Sequence, residues 1–260
     1  MTSIHEVYAV RYATMPNRVR AQNLMNCCAE NANEPMPMDY FLWLIRDNEE
    51  TVVVDTGATA NTLTRRGRTP LIDIGETLRK VGVHPELVRD VILTHLHYDH
   101  AGGIGLFPRA RFHLQISEWE FVNSAALQHQ LIAEPYEATD IESIKTLLDS
   151  GRLILHNGNS ELRAGIEVRR VGGHTGGTQI VRVHTARGWM VLASDAMHFR
   201  ANAAEASPFP IVADVVANLD SHQLCYSLAD ADELVIPGHD PKTVRGLPPH
   251  PEHPQVFRLA

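Results

Sequence analysis

The chain lacks an apolar run of the roughly 18 residues that a bilayer crossing takes, which excludes a helical membrane span. Its first residues, Met1 to Val10, carry neither a basic start nor an apolar core, so no secretory signal is expected. Basic clusters are also scarce. Lys and Arg number 23 against 31 Asp and Glu, giving a net charge of −8 with His neutral. That balance argues against nucleic acid as a partner, because phosphate binding needs concentrated cationic charge. Cysteine is rare. Cys27, Cys28 and Cys225 fit neither a disulfide framework nor a zinc ribbon, and adjacent cysteines seldom bridge each other. They read as reduced thiols of a cytoplasmic protein. No repeat, low-complexity tract or long linker divides the 260 residues, so a single domain over 1–260 is expected.

Histidine is what the chain has in excess: 15 residues, clustered in sequence. The apolar pattern around them alternates between strand and helix. Ile4 to Tyr12 reads as a half-buried strand. Tyr40 to Ile45 and Thr51 to Asp55 flank the polar turn Arg46 to Glu50 and read as a hairpin. Asp73 to Val81 has a helical period ending at Gly82, a C-cap residue type. Val88 to Thr94 and Ala110 to Gln115 are further strands. Ser117 is expected to cap the helix carrying Glu118, Trp119 and Glu120. Residues 124 to 150 read as one or two helices, either packed on the sheet or offering a homodimer surface. Strands return at Arg152 to His156, Ile166 to Val171, Gln179 to His184 and Trp189 to Ala193. Leu219 to Ala229 is the last helix and Glu233 to Ile236 the last strand, followed by a Pro-rich tail from Pro241 to Pro254. That order suits an α/β protein of two sheets between helix layers. Arg18 to Asp39 has no clean period and reads as a long loop, a feature that tends to be functional.

The chemistry gathers in four strand-end turns. The first is Thr94-His95-Leu96-His97-Tyr98-Asp99-His100-Ala101-Gly102-Gly103. His95 and His97 are two apart, so in an extended segment both rings face one way. Gly173-His174-Thr175-Gly176, Ser194-Asp195 and Gly238-His239-Asp240 each follow an apolar run with one ligand-type residue. Imidazole and carboxylate are what borderline cations such as zinc accept. His5, His84, His113, His129, His156, His184, His222, His250 and His253 stand outside this pattern and read as surface or satisfied core histidines.

This ordered set resembles the metallo-β-lactamase superfamily from about Val52 to Asp240, with Val54-Asp55-Thr56-Gly57 matching that family's early strand-end motif. The resemblance implies an αβ/βα four-layer sandwich holding two divalent metals, zinc first among them. It implies that His95, His97 and His174 hold one metal, that Asp99, His100 and His239 hold the other, and that Asp195 bridges them. Asp55 would orient ligands from behind. Two such cations can share and acidify one water, giving a bridging hydroxide that attacks a carbonyl. Asp99 is expected to orient it and move its proton. His97 stands where the diiron oxygenases of the superfamily carry Glu, which favours hydrolysis.

Within the superfamily the chain is most similar to acyl-homoserine lactonases. Its loop differs from their His-Leu-His-Phe-Asp-His-Ala-Gly-Gly by one aromatic, and both share the Pro208-Phe209 pair. The function expected is opening of a small lactone such as an acyl-homoserine lactone, that is, quorum quenching. The lactonases carry a Tyr three residues past the bridging Asp, and here that residue is His198. It is expected to serve the substrate as a hydrogen-bond or acid group, and the change opens the way to another ring, ester or cyclic amide. Met25, Met36, Met38 and Phe41 on and beside the long loop would wall a substrate tail. A thioesterase like glyoxalase II is the alternative, but those enzymes add a basic helical region that this chain does not show. Nucleic-acid-processing relatives need an added basic region, β-lactamases an export signal, and a non-catalytic binding protein would show a lost ligand.

Overall fold

The computed structural model describes residues 3–47 and 50–260. In chain order the first half runs β1 (Glu6–Met15), β2 (Met38–Arg46), β3 (Thr51–Val54), α1 (Ala60–Arg65), β4 (Thr69–Pro70), α2 (Ile74–Lys80), β5 (Asp90–Ile92), α3 (Tyr98–Ala101), β6 (Arg111–Gln115), α4 (Ile116–Val122), α5 (Gln130–Ala133) and α6 (Ala138–Asp149). The second half runs β7 (Leu153–His156), β8 (Ser160–Arg163), β9 (Ile166–Arg170), β10 (Gln179–Thr185), β11 (Gly188–Ser194), α7 (Arg200–Ala204), α8 (Val215–Leu228), β12 (Val235–Pro237), β13 (Pro249–His250) and β14 (His253–Arg258).

Two sheets face each other. The larger has the order β13-β14-β1-β2-β3-β5-β6-β7, with β4 beside β1, and the smaller has β12-β11-β10-β9-β8. Their facing sides bury Phe41, Trp43, Val54 and Ile92 against Val168, Val181, Met190 and Leu192. The larger sheet's outer face (Tyr40, Leu42, Val53, Phe112) packs on Leu63, Leu78, Ile144 and Leu147 of α1, α2 and α6. The smaller sheet's outer face (Ile180, Val191, Val235) packs on Cys225 of α8. The result is the four-layer αβ/βα sandwich. Strand β2 is apolar almost throughout because both its faces are covered. Each large side chain fully buried there contributes about 1.5–3 kcal/mol relative to exposure.

Several expectations need correction. Ser117 does not cap α4. It lies inside the helix, where its hydroxyl accepts from Arg170 Nε at 2.8 Å, and Gln115 holds the cap position without a side-chain bond. The last helix begins at Val215 rather than Leu219, because Asp214 accepts from Ala217 N and starts it early. The Pro-rich tail carries strands that were not among the expected elements. It turns into β13 and β14, and β14 extends the sheet edge along β1. Strand β8 at Ser160–Arg163 is also additional to the expected elements. Within the expected hairpin turn, residues 48 and 49 lie outside the described residues. Helix α6 turns Ile144 and Leu147 into the core, so its apolar side packs on the larger sheet. No helix among the described residues is long and apolar enough to cross a membrane.

Candidate metal centre

The four motif turns meet at one edge because the strands before them run the same way within each sheet, β9 before His174 included, since β9 and β11 are both antiparallel to β10. β3 pairs with β5, and β11 with β12, each pair parallel, so Asp55, the Thr94–His100 loop, Asp195 and His239 leave the sheets on the same side. Two of the turns are strained. Asp55 has φ of 62° and Ser194 has φ of 46°, a region costly for residues with a Cβ. Hydrogen bonds fix Asp55: its N donates to Ile92 O, and its Oδ1 accepts from Thr94 N at 2.8 Å. Gly103 must be glycine, since a Cβ there would come within 2.1 Å of Thr56 O. This close packing anchors short helix α3, whose His100 carbonyl accepts from Thr56 N and whose Asp99 carbonyl accepts from Tyr12 OH at 2.6 Å.

His95, His97, His174 and Asp195 converge, and so do Asp99, His100 and His239, with one ligand atom per residue mutually within 4.8 Å in each group. All seven are buried. Asp195 lies between the groups. Its Oδ2 is 3.2 Å from His174 Nε2 and 3.8 Å from His95 Nε2, while its Oδ1 is 3.0 Å from His239 Nε2 and 3.3 Å from His100 Nε2. Outer partners orient three of the rings. His100 Nδ1 donates to Asp55 Oδ2 at 2.7 Å, His174 Nδ1 to Ile211 O at 2.8 Å, and His239 Nδ1 to Asp39 O at 2.8 Å. Each ring then presents Nε2 to the centre.

These residues fit cations. His95 Nε2, His100 Nε2, His239 Nε2 and Asp195 Oδ1 are buried with no hydrogen-bond partner, although buried polar atoms normally find one. Three ring nitrogens and a carboxylate oxygen crowded inward without hydrogen bonds are the donor set of a metal-binding cage. Burial, then the neighbouring imidazoles, hold His95 and His97 well below the usual histidine range, which keeps their ring nitrogens unprotonated and able to ligate. For His100 burial lowers the value, but Asp195, Asp55 and Asp99 outweigh it and raise it well above the usual range. The carboxylates therefore concentrate cationic affinity around His100.

The structure brings His198 into the same place. Its Nε2 is 3.0 Å from Asp195 Oδ2, and its ring stacks on Phe209 at 3.9 Å and 5°. Burial pushes it down to about 3, so it is a neutral imidazole at physiological pH. The loop from Arg18 does reach the site, with Arg18, Gln22 and Met38 lining a cavity of 100 Å³ beside Asp99, His198 and His239. The expected apolar wall is only partly there. Phe41 points between the sheets, Met25 is 46% exposed, and Met36 packs against the helix-side core. The apolar side is instead Phe121, Leu131, Ile132 and Tyr136, beside His97 and His174.

Sequence reasoning missed Glu118 as part of this frame. Fully buried, it accepts from Leu96 N and Gly177 N and from the Thr175 hydroxyl, tying the His95 and His174 turns together. Nothing in its helical surroundings marks it apart from a surface acid. Arg68 and the tyrosines Tyr40 and Tyr98 at the cavity were likewise not distinguishable by spacing.

The metallo-beta-lactamase superfamily matches residues 38–250, and the chain belongs to it. With that family, this fold and this ligand set, the protein is a metal-dependent hydrolase. It is similar to an N-acyl homoserine lactonase of Bacillus sp at 26% identity, over 85% of this chain and 88% of that one. The lactonase AiiB of Agrobacterium fabrum is 29% identical over 62% of this chain and 63% of its own. A solved structure of a quorum-quenching N-acyl homoserine lactone lactonase superposes with a TM-score of 0.73 at 21% identity, covering 94% of this chain and 96% of that chain.

Proposed function

We propose that the protein, working as one domain over residues 1–260 in the cytoplasm, opens small lactones, with acyl-homoserine lactones the first substrates to try. The observation that carries the metal part is the set of orphaned inward atoms on His95, His100, His239 and Asp195. Lactonase relatives that match most of the chain support the substrate class. His95, His97 and His174 would hold one cation and Asp99, His100 and His239 the other, with Asp195, which lies between the two groups, shared. When bound, two divalent cations, zinc first among them, supply an acidified water and an electrophilic contact for the carbonyl.

The chain's own groups handle orientation and protons. Asp99 Oδ2 stands 3.8 Å from both His100 Nε2 and His239 Nε2. There it orients the attacking water and takes its proton. The water oxygen bonds to the carbonyl carbon, the ring C–O bond breaks, and Asp99 passes the proton to the leaving alkoxide. His198 N–H faces Asp195 Oδ2 at 3.0 Å and would turn to a substrate oxygen were that carboxylate taken up by cations. Stacking on Phe209 fixes the direction of that hydrogen bond.

The test is metal analysis of the purified protein together with turnover of acyl-homoserine lactones, γ-butyrolactone, an aryl ester and S-lactoylglutathione, with and without chelator. Two divalent cations per chain and chelator-sensitive ring opening are expected. A fully metallated protein that turns over the thioester or ester and no lactone would sink the lactonase reading while leaving the hydrolase intact.

A further inference from the structure

Two arginines line the cavity beside Asp99, His198 and His239: Arg18, from the loop after β1, and Arg68, from the turn after α1. Both are half-buried. The chain has an excess of acidic residues, yet neither arginine forms an ion pair with any described residue. Each is nevertheless held in place. Arg18 Nε donates to Asn23 Oδ1 at 2.6 Å and its Nη2 to Gln22 O. Arg68 Nε donates to the Tyr98 hydroxyl at 2.8 Å and its Nη1 to Arg66 O. That leaves Nη1 of Arg18 and Nη2 of Arg68 without a hydrogen bond to described residues. The Arg18 guanidinium also lies 5.3 Å from the centre of the Phe209 ring that stacks on His198.

The two cations are close enough to act on each other. Burial lowers Arg18, and Arg68 adds to the lowering. Fixing two like charges in a half-buried wall is unfavourable unless an anion completes the site. Burial lowers Arg68, but Tyr40, Tyr98 and Asp99 outweigh it and raise it, and the one carboxylate among these, Asp99, is committed to a cation by the metal reading. The shape agrees with a small substrate. The apolar branch by Phe121 and Ile132 measures only 30 Å³, about one water's share of liquid volume.

We propose that the substrate carries a carboxylate on or beside its lactone ring, held by Arg18 and Arg68 while the scissile carbonyl faces the histidine–aspartate cluster. This rests on the lactone-hydrolase reading and narrows it. Planar guanidinium groups recognise carboxylates through paired charge-assisted hydrogen bonds, and they orient the ring as well as bind it. An uncharged ring of equal size lacks that contact.

The experiment uses two lactones that differ by one carboxylate, γ-butyrolactone and 5-oxotetrahydrofuran-2-carboxylate, with metal-loaded wild type, Arg18→Gln and Arg68→Gln. The wild type is expected to prefer the carboxylate-bearing ring by tenfold or more in kcat/KM, mainly through KM. In each variant that preference is expected to fall about tenfold, as loss of one charged hydrogen bond implies. Arg68→Lys should recover part of it. Thermal melts separate loss of preference from loss of fold. The ring-opened acids, 2-hydroxyglutarate and 4-hydroxybutyrate, are then titrated calorimetrically against the same proteins. If no lactone is opened, the lactone-hydrolase reading fails, and the anion site is judged on binding alone. Tighter binding of the dicarboxylate, weakened in both variants, upholds it. Equal binding of the two acids, or a preference that survives both substitutions, overturns it.

Discussion

Replacing Asp55 by Asn tests whether a residue that reaches neither substrate nor cation decides how one cation is held. Asp55 is fully buried. One oxygen accepts from Thr94 N, and the other accepts from His100 Nδ1 at 2.7 Å. Asn keeps the shape and can keep the Thr94 bond, but it then turns an NH2 donor toward His100 Nδ1. The imidazole must move its proton to Nε2 to accept that donor, and Nε2 is the atom aimed at the metal centre. The lost charge-assisted bond is worth about 1.5–3 kcal/mol. Substitutions behind a metal-bound histidine weaken the metal roughly 10- to 100-fold. Competitive titration against a chromophoric chelator should therefore show one binding step weakened by that factor and the other nearly unchanged. Thr94→Val is the control. It removes the hydroxyl's bonds to Asp55, His95 Nδ1 and Ser194 but leaves the His100 contact, so it should cost about 1 kcal/mol of stability, with any loss of metal affinity falling at the His95 group rather than at the His100 group. Asp55→Asn protein that binds both cations as tightly as wild type would refute the tautomer argument.

Gly103→Ala drives a Cβ into the Thr56 carbonyl and should cost about 1–3 kcal/mol or more, read as a lowered melting temperature. Glu118→Gln exchanges a carboxylate that accepts four bonds for an amide that must point its NH2 at donors. A destabilisation of about 1–3 kcal/mol is expected, with metal affinity falling at the His95, His97, His174 group, and an unchanged melt would count against it. His222 is buried and its value is pushed down to about 4. The unfolded chain then takes up the proton first as pH falls. Stability from this group is complete above its unfolded value and is lost as pH falls from about 6.5 toward 4. His222→Leu should flatten the fall in melting temperature between pH 7 and 5 relative to wild type, and identical slopes would exclude that contribution.

The centre was legible in the sequence because ligand chemistry constrains residue type and order more tightly than packing does. Seven ligand-type residues at strand ends cannot be exchanged for look-alikes, and the structure brings all seven together. Strands with strong apolar runs were legible for the same reason. Positions set by tertiary contact were not. Ser117 has the composition of a cap, but Arg170 takes its hydroxyl. Phe41 is expected beside a substrate tail, yet the alternation along β2 puts it on the same face as Trp43 and Ile45, between the sheets. The strand His253–Arg258 lies beyond a stretch dense in Pro, and it forms because β1 offers an unpaired edge, which no local pattern reports.

Geometry divides the centre more unevenly than the motif suggests. His95, His97 and His174 reach the middle with no carboxylate of their own besides the shared Asp195. His100 and His239 have Asp99 beside them, and behind His100 stands a second carboxylate, Asp55, hydrogen-bonded to the far side of its ring. His174 and His239 have only backbone carbonyls in that position. A carboxylate partner makes an imidazole a stronger base than a carbonyl does, and negative charge adds directly to cation affinity. The group containing Asp99 is therefore the more strongly attracting of the two. Its partner group is three imidazoles beside the edge-on ring of Tyr136, 4.6 Å from His97, a setting that would leave a cation more of its charge to direct at a substrate carbonyl. Asp55 bonds a ring of the Asp99-containing group directly and reaches the other group only through the Thr94 hydroxyl beside His95 Nδ1, which is why its loss should weaken mainly one binding step. The same division sets the Asp99 side of the centre next to Arg68, on the wall assigned to the substrate's anionic end, and the three-imidazole side next to Phe121 and Ile132.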